Sequence, residues 1–251
     1  MKIIYTIVLL LLMGQQVNAE CSSGALSYYK IPTDTDKPVI VLEGSWNKQD
    51  FILAINKKFQ LALTNGHEEI LLNVLDKCVS DYYLTQALLK PAKALEVGND
   101  YKLKIIKTGT IEDEAFILSM LEEVLIKTDS KFGNNRSTIK FLAAPKIVSK
   151  SYEEYGCGPA KSLSINLNVS KQPFLVKTDL TELESGRTIS YYLPTNDYGI
   201  IEIGHGMCGG SFTFIDKAKY RVVFSLIDGD GNYVSQKLQS LSFVWKDNND
   251  I

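Results

Sequence analysis

Among the chain's two histidines and four cysteines, the one pair close enough in sequence to suggest nucleophilic chemistry is His205 and Cys208. His205 lies in Gly204-His-Gly-Met-Cys-Gly-Gly210, three residues before Cys208. A Cys–His nucleophile needs a thiolate with the imidazole beside it as base. A glycine-rich loop does not fix that geometry, and oxidation of Cys208 would remove the thiolate. The expectation is therefore a loop stapled at Cys208. His67 follows the turn pair Asn65-Gly66 and is expected in solvent.

Asp228, Asp230 and Asn232 have the 1-3-5 spacing of a calcium loop. An EF-hand wants glycine at position 6 and glutamate at position 12; this chain has Tyr233 and Gln239 there. Strong strand patterns on both sides make a hairpin tip the better reading. The sequence lacks Gly-x-Ser-x-Gly, His-Glu-x-x-His, a phosphate-cradling loop and a dinucleotide fingerprint. Paired acids for glycoside hydrolysis come from distant positions, and nothing singles out such a pair. No catalytic, cofactor or metal residue is assigned beyond that calcium candidate. Tyr28-Tyr29, Tyr82-Tyr83 and Tyr191-Tyr192 each place one ring on either face of a strand. The inner ring is expected in the core and the outer ring half exposed, where it could stack on a sugar or a partner. Asn135-Arg-Ser137 and Asn168-Val-Ser170 are glycosylation acceptors in a host that glycosylates such sites.

Residues 1–19 read as a signal peptide: Lys2, an apolar run from Ile3 to Met13, and Val17-Asn18-Ala19 at the cleavage site. That run is too short to span a bilayer, which takes roughly 20 residues. The mature chain is expected to start at Glu20. Lipidation at Cys21 is a competing reading, disfavoured because Glu20 stands where a small residue is normal. Periplasm, cell surface and exterior stay open as destinations. The balance of 27 basic and 29 acidic residues, without a basic stripe, gives no footprint for nucleic acid.

In an exported chain Cys21, Cys78, Cys157 and Cys208 read as disulfides before metal ligands. Three pairings are possible. Cys21–Cys78 and Cys157–Cys208 are favoured because each would close within one proposed domain.

The elements that must carry these residues are mostly strands. Phe59, Leu61 and Leu63 alternate with polar or small residues, Asn65-Gly66 marks a hairpin turn, and Ile70, Leu72 and Val74 resume the period of two. Residues 111–126 change to helical spacing, with Thr110 and Asp113 as a capping pair and acids in the first turn. The expectation there is a helical insert. Ile139 to Ala144 reads as a last strand of the first unit, with a boundary at Ala144-Pro145. Alternation returns at Leu163, Ile165 and Leu167, and strong strand patterns run from Tyr220 to Ile227 and from Tyr233 to Trp245.

One pattern occurs twice: Leu95-x-x-Gly98-x-x-Tyr101 ahead of an alternating strand, and Phe214 six residues before Tyr220. A large apolar residue, a bend and a tyrosine are what a tyrosine corner requires, with the hydroxyl bonded back to the crossing loop. Here the sequence resembles bacterial immunoglobulin-like and fibronectin-like modules, over about residues 31–107 and 160–246. Leu89-Lys90-Pro91 and Asp230-Gly231-Asn232 fit the same pattern. The resemblance implies a mainly β chain of two tandem Ig-like β-sandwich domains, residues 20–145 with the insert and 146–251, each holding one disulfide. A fold of this kind hosts many functions. The expectation is an exported, non-enzymatic binding or structural module without cofactor, its partner an unidentified protein or glycan. The alternatives are an exported hydrolase or other enzyme with a loop-built site, and a soluble inhibitor of a secreted partner.

Overall fold

The computed structural model describes residues 24–30, 35–107, 125–128, 139–170, 174–234 and 239–248. The expected signal peptide and Cys21 lie outside them, as do residues 111–124 of the helix expected over 111–126. No helix among the described residues is long and apolar enough to cross a membrane.

The chain is mainly β, built from antiparallel sheets as a period of two demands. The first half contributes β1 (Leu26–Lys30), β2 (Ile40–Ser45), β3 (Phe59–Thr64), β4 (Glu69–Val79), β5 (Leu84–Pro91), β6 (Asp100–Lys107) and β7 (Leu125–Lys127). Their order is β1-β2-β5-β4-β3-β6-β7. β4 changes partner along its length. Glu69–Leu71 pair with β3, and from Leu72 onward the strand pairs with β5, with a bulge between Val74 and Asp76. A strand shared in this way lets β1-β2-β5-β4 face β3-β6-β7 across one core. One layer has four strands and the other three. Ile40, Leu42, Leu61, Leu63, Ile70 and Tyr101 belong to that core.

A single 3-10 turn (Trp46–Lys48) leads into the short helix α1 (Gln49–Ala54), which adds Phe51 and Ile52 to the same core. The sequence reading expected no helix here. At the other expected helix, residues 125 and 126 lie instead in β7, paired with β6.

The second half has β8 (Lys146–Tyr155), β9 (Gly158–Asn166), β10 (Leu175–Glu182), β11 (Thr188–Pro194), β12 (Ile200–His205), β13 (Lys219–Ile227) and β14 (Gln239–Val244). They form a three-stranded sheet, β12-β9-β8, and a four-stranded sheet, β11-β10-β13-β14. The segment expected to close the first unit serves this half. Phe141 bridges Val169, the Leu142 N–H donates to Asn168 O at 2.6 Å, and Ile139 is buried in the second core.

The two halves are joined by apolar packing. Val39, Val41, Cys78 and Leu88 from the first half belong to the cluster formed by Leu163, Val176, Tyr191, Phe224 and their neighbours. β2 and β5 are thus covered on both faces, which explains the unbroken apolar runs Val39–Leu42 and Ala87–Leu89 in an otherwise alternating chain. Val39, Val41 and Leu88 are each at most 3% exposed. At roughly 1.5–3 kcal/mol per fully buried aliphatic side chain, the three contribute about 5–9 kcal/mol to the junction as an upper guide.

Candidate functional site

Both tyrosine corners close. The Tyr101 hydroxyl accepts the Glu96 N–H at 3.0 Å and donates to a Glu68 carboxylate oxygen at 2.9 Å. Gly98 supplies the bend at φ +81°, and Leu95 is buried beneath it. In the second corner the Tyr220 hydroxyl accepts the Ile215 N–H at 2.8 Å. Lys217 takes the left-handed bend at φ +63°, and the Phe214 ring stacks on Trp245 with centroids 4.5 Å apart. These residues hold the ends of their sandwiches.

The junction between the halves gathers nearly every other residue with chemical potential. At its centre lies Gln86 on β5, 1% exposed. Its Nε2 stands 2.8 Å from the Tyr29 hydroxyl, 3.0 Å from a Glu43 carboxylate oxygen and 3.0 Å from Tyr192 O. Its Oε1 accepts the Tyr192 N–H at 3.0 Å. Tyr191 donates its hydroxyl to Glu43 at 2.8 Å, and Tyr192 donates to Asp76 at 2.7 Å. Lys177 completes the group with an ammonium 3.0 Å from the same Asp76 oxygen.

Burial pushes the Asp76 carboxyl up, but the Tyr192 hydroxyl and the Lys177 ammonium outweigh it and leave the group below its ordinary value. Burial and then the Glu43 charge push the Tyr191 phenol far up, so it stays a donor. Tyr191 and Tyr192 are each 1% exposed, where one half-exposed ring was expected. The outward face of β11 is covered by the first sandwich, so neither ring is open to a ligand. The Tyr29 ring is partly buried against the same cluster, and its hydroxyl donates to Tyr192 O. Tyr83 does stand 46% exposed, with one face against Trp46 at a centroid distance of 4.0 Å.

The loop holding His205 and Cys208 is seated on the first sandwich. Trp46 Nε1 donates to Cys208 O at 2.7 Å, the Tyr82 hydroxyl donates to Met207 O at 3.1 Å, and the Gly210 N–H donates to Tyr82 O at 3.0 Å. The loop turns back so tightly that a Cβ at Gly210 would come 2.2 Å from the His205 Cα. The imidazole is buried against the Tyr82 ring at 4.5 Å, with Nδ1 2.9 Å from Gly206 O. Burial holds its pKa below the ordinary value; the Gly206 carbonyl acts the other way and Lys161 reinforces the lowering.

Cys208 is disulfide-bonded, so it presents no thiolate to His205. Neither favoured cysteine pair forms, because Cys78 and Cys157 are thiols. Cys78 points from β4 into the packed junction, where burial raises its pKa to about 12. Cys157 is exposed at the turn between β8 and β9, while the Gly206–Gly209 turn carries Cys208 toward Trp46.

The calcium candidate is a docking turn. One carboxylate oxygen of Asp228 accepts the N–H groups of Asp230 at 3.0 Å and Asn232 at 2.8 Å. The Asp230 carboxylate accepts the Thr35 hydroxyl, and its carbonyl accepts the Lys90 ammonium. Gly229 O accepts the Val39 N–H at 3.0 Å. Gly231 has φ +81°, and a Cβ there would lie 2.5 Å from Val39 Cγ1. The aspartates therefore answer donors from the turn and from the first sandwich, and a lysine cation occupies the approach. Among the described residues no group of three or more His, Cys, Asp or Glu side chains is placed to hold a metal.

A groove of about 510 Å³ lies between Val148, Ser164, Thr195 and Ile201, with Glu202 as the one acid among its lining residues. The sequence reading missed the junction itself. Its signal was present in the unbroken runs at 39–42 and 87–89 and in Gln86, a polar residue inside an apolar strand.

No family description matches the chain, and no match is found among curated proteins. Among solved structures, a Bacillus subtilis type I pullulanase in complex with maltose aligns over 84% of this chain and 24% of its own, at 8% identity and a TM-score of 0.28. A pullulanase from Anoxybacillus sp. LM18-11 in complex with maltotriose aligns over 82% and 24%, at 8% identity and a TM-score of 0.25. This chain spans about a quarter of either, and a likeness of that size carries no argument about what it does.

Proposed function

We propose that this chain is an exported, non-enzymatic binding or structural module in which two β-sandwiches act as one rigid body. The observation that carries the reading is the seating of the His205–Cys208 loop on Trp46 and Tyr82. The loop that offered the best nucleophile and base is spent on joining the halves, with its sulfur oxidised and its imidazole packed against a ring. The Gln86 network and the Asp228 turn are spent the same way. What remains to meet a protein or glycan partner is the outer surface of a fixed two-domain frame.

The test is secretion of the full chain, followed by N-terminal mass analysis and assays on ester, peptide and glycoside substrates. The expected result is a mature start at Glu20 and turnover no faster than with heat-inactivated protein. Turnover abolished by His205→Ala or by substitution of Glu202 would overturn the non-enzymatic reading. A retained leader in a chain held inside the cell would overturn the export reading.

A further inference from the structure

We propose that the groove of about 510 Å³ on the second sandwich is a binding site for a short neutral saccharide. The inference rests on reading the chain as a binding module and names the class of ligand for it. Part of the groove is built by strand register. Ser149 on β8 pairs with Ser164 on β9, which pairs in turn with Glu202 on β12. Leu163, Ile165, Ile201 and Ile203 alternate with them into the core. Two hydroxyls and a carboxylate therefore stand in one row on the outer face of this sheet. The bulge between Ile147 and Ser149 gives Val148 no opposite residue and leaves it 46% exposed at the same place. Among the described residues, the side chains of Ser149, Ser164 and Glu202 have no hydrogen-bond or ion-pair partner. The turn after β11 adds Asn196 to the groove lining. Its Oδ1 accepts the N–H groups of Tyr198 at 2.9 Å and Ile200 at 3.0 Å, which leaves Nδ2 as the donor for a ligand.

These groups select by charge and by hydrogen-bond type. Glu202 repels an anion, and among the described residues no basic side chain lines the groove to offset it. An amine would pair with Glu202 but would meet the Asn196 donor with its own positive charge and leave the serines unused. A sugar hydroxyl both donates and accepts. Neighbouring hydroxyls therefore donate to the Glu202 carboxylate, accept from Asn196 Nδ2 and do both with the serines. The apolar C–H face of the ring finds Val148, Pro194 and Ile200 in the same lining. The volume falls within the range of about 300–1,000 Å³ common to small-molecule sites. Glycoside hydrolysis takes two carboxyl groups, and this lining has one acid, so the saccharide is held and not cut.

Calorimetric titration of the secreted protein tests this, with neutral gluco-, manno-, xylo- and N-acetylglucosamine oligosaccharides, an oligogalacturonide and a lysine-rich peptide as probes. One neutral series should bind with a Kd below about 1 mM, and the oligogalacturonide and the peptide should not bind. Glu202→Gln should weaken that binding about tenfold, the loss of one charged hydrogen bond. Ser164→Phe, whose ring fills the groove from an outward strand position, should abolish it with circular dichroism unchanged. A second measurement needs no variant: the saccharide should move the methyl nuclear magnetic resonance signals of Val148 and Ile200. Failure of every neutral saccharide to bind, preference for the oligogalacturonide or the peptide, or methyl shifts confined to other faces would overturn the inference and leave the binding-module reading standing. Cleavage of the saccharide, lost in Glu202→Gln, would instead overturn the non-enzymatic reading on which the inference rests.

Discussion

Replacing Gln86 with leucine keeps the side-chain volume close to native and deletes the polar centre of the junction. The Tyr192 N–H loses its acceptor, Gln86 Oε1 at 3.0 Å, in a region closed to water. A buried donor left without a partner costs about 1–3 kcal/mol. Glu43 loses the Nε2 donor at 3.0 Å and retains the Tyr191 hydroxyl at 2.8 Å; a hydrogen bond to a charged group is worth about 1.5–3 kcal/mol. Together these losses make the variant less stable by about 3–5 kcal/mol. With a urea slope near 3 kcal/mol/M, the midpoint should fall by about 1–1.7 M. Because the lost bonds join the two halves, tryptophan fluorescence and far-ultraviolet circular dichroism should shift together. Lys104→Met, which removes an exposed pair with Glu69, serves as the control and should cost less than about 1 kcal/mol. A Gln86→Leu midpoint within about 0.3 M of the parent, equivalent to about 1 kcal/mol, would refute the claim that this amide organises the junction.

Tyr101→Phe and Tyr220→Phe should each cost about 1–3 kcal/mol in urea unfolding by leaving a corner N–H without its acceptor. Tyr101→Phe should cost more, since its hydroxyl also donates to Glu68. His205 gives a pH dependence whose sign follows from its lowered pKa. The folded state binds the proton less readily than the unfolded chain, so stability should fall as pH drops below about 6.5. The fall should stop once pH passes below the folded value, and His205→Phe should give a flatter profile between pH 7 and 5; equal slopes in the two proteins would count against a buried neutral imidazole.

Strands and corners were readable because both rest on local rules. A period of two names the inward residues of β3 and β6 without knowledge of what lies opposite. The Leu95-x-x-Gly98-x-x-Tyr101 spacing contains its own bend and its own acceptor. The short helix α1 was not readable: its six residues have no side-chain cap and hold their place by burying Phe51 and Ile52. Residue 125 shows the reverse error, since helical spacing reads the same in a short strand that merely needs apolar contact.

The misplaced chemistry has a single physical source. Alternation says that Tyr191 and Tyr192 point to opposite faces of β11, and they do; it cannot say that a second sandwich covers the outer face. The same covering turns the Asp228 turn from an ion candidate into a docking contact. The two apolar runs on β2 and β5 were the local trace of that covering. An apolar run of three or four residues is compatible with cover on both faces but does not require it, since Leu71 in the run Ile70–Leu72 is 42% exposed. The second cover here is the other half of the same chain, so residues that could have served a ligand serve the junction.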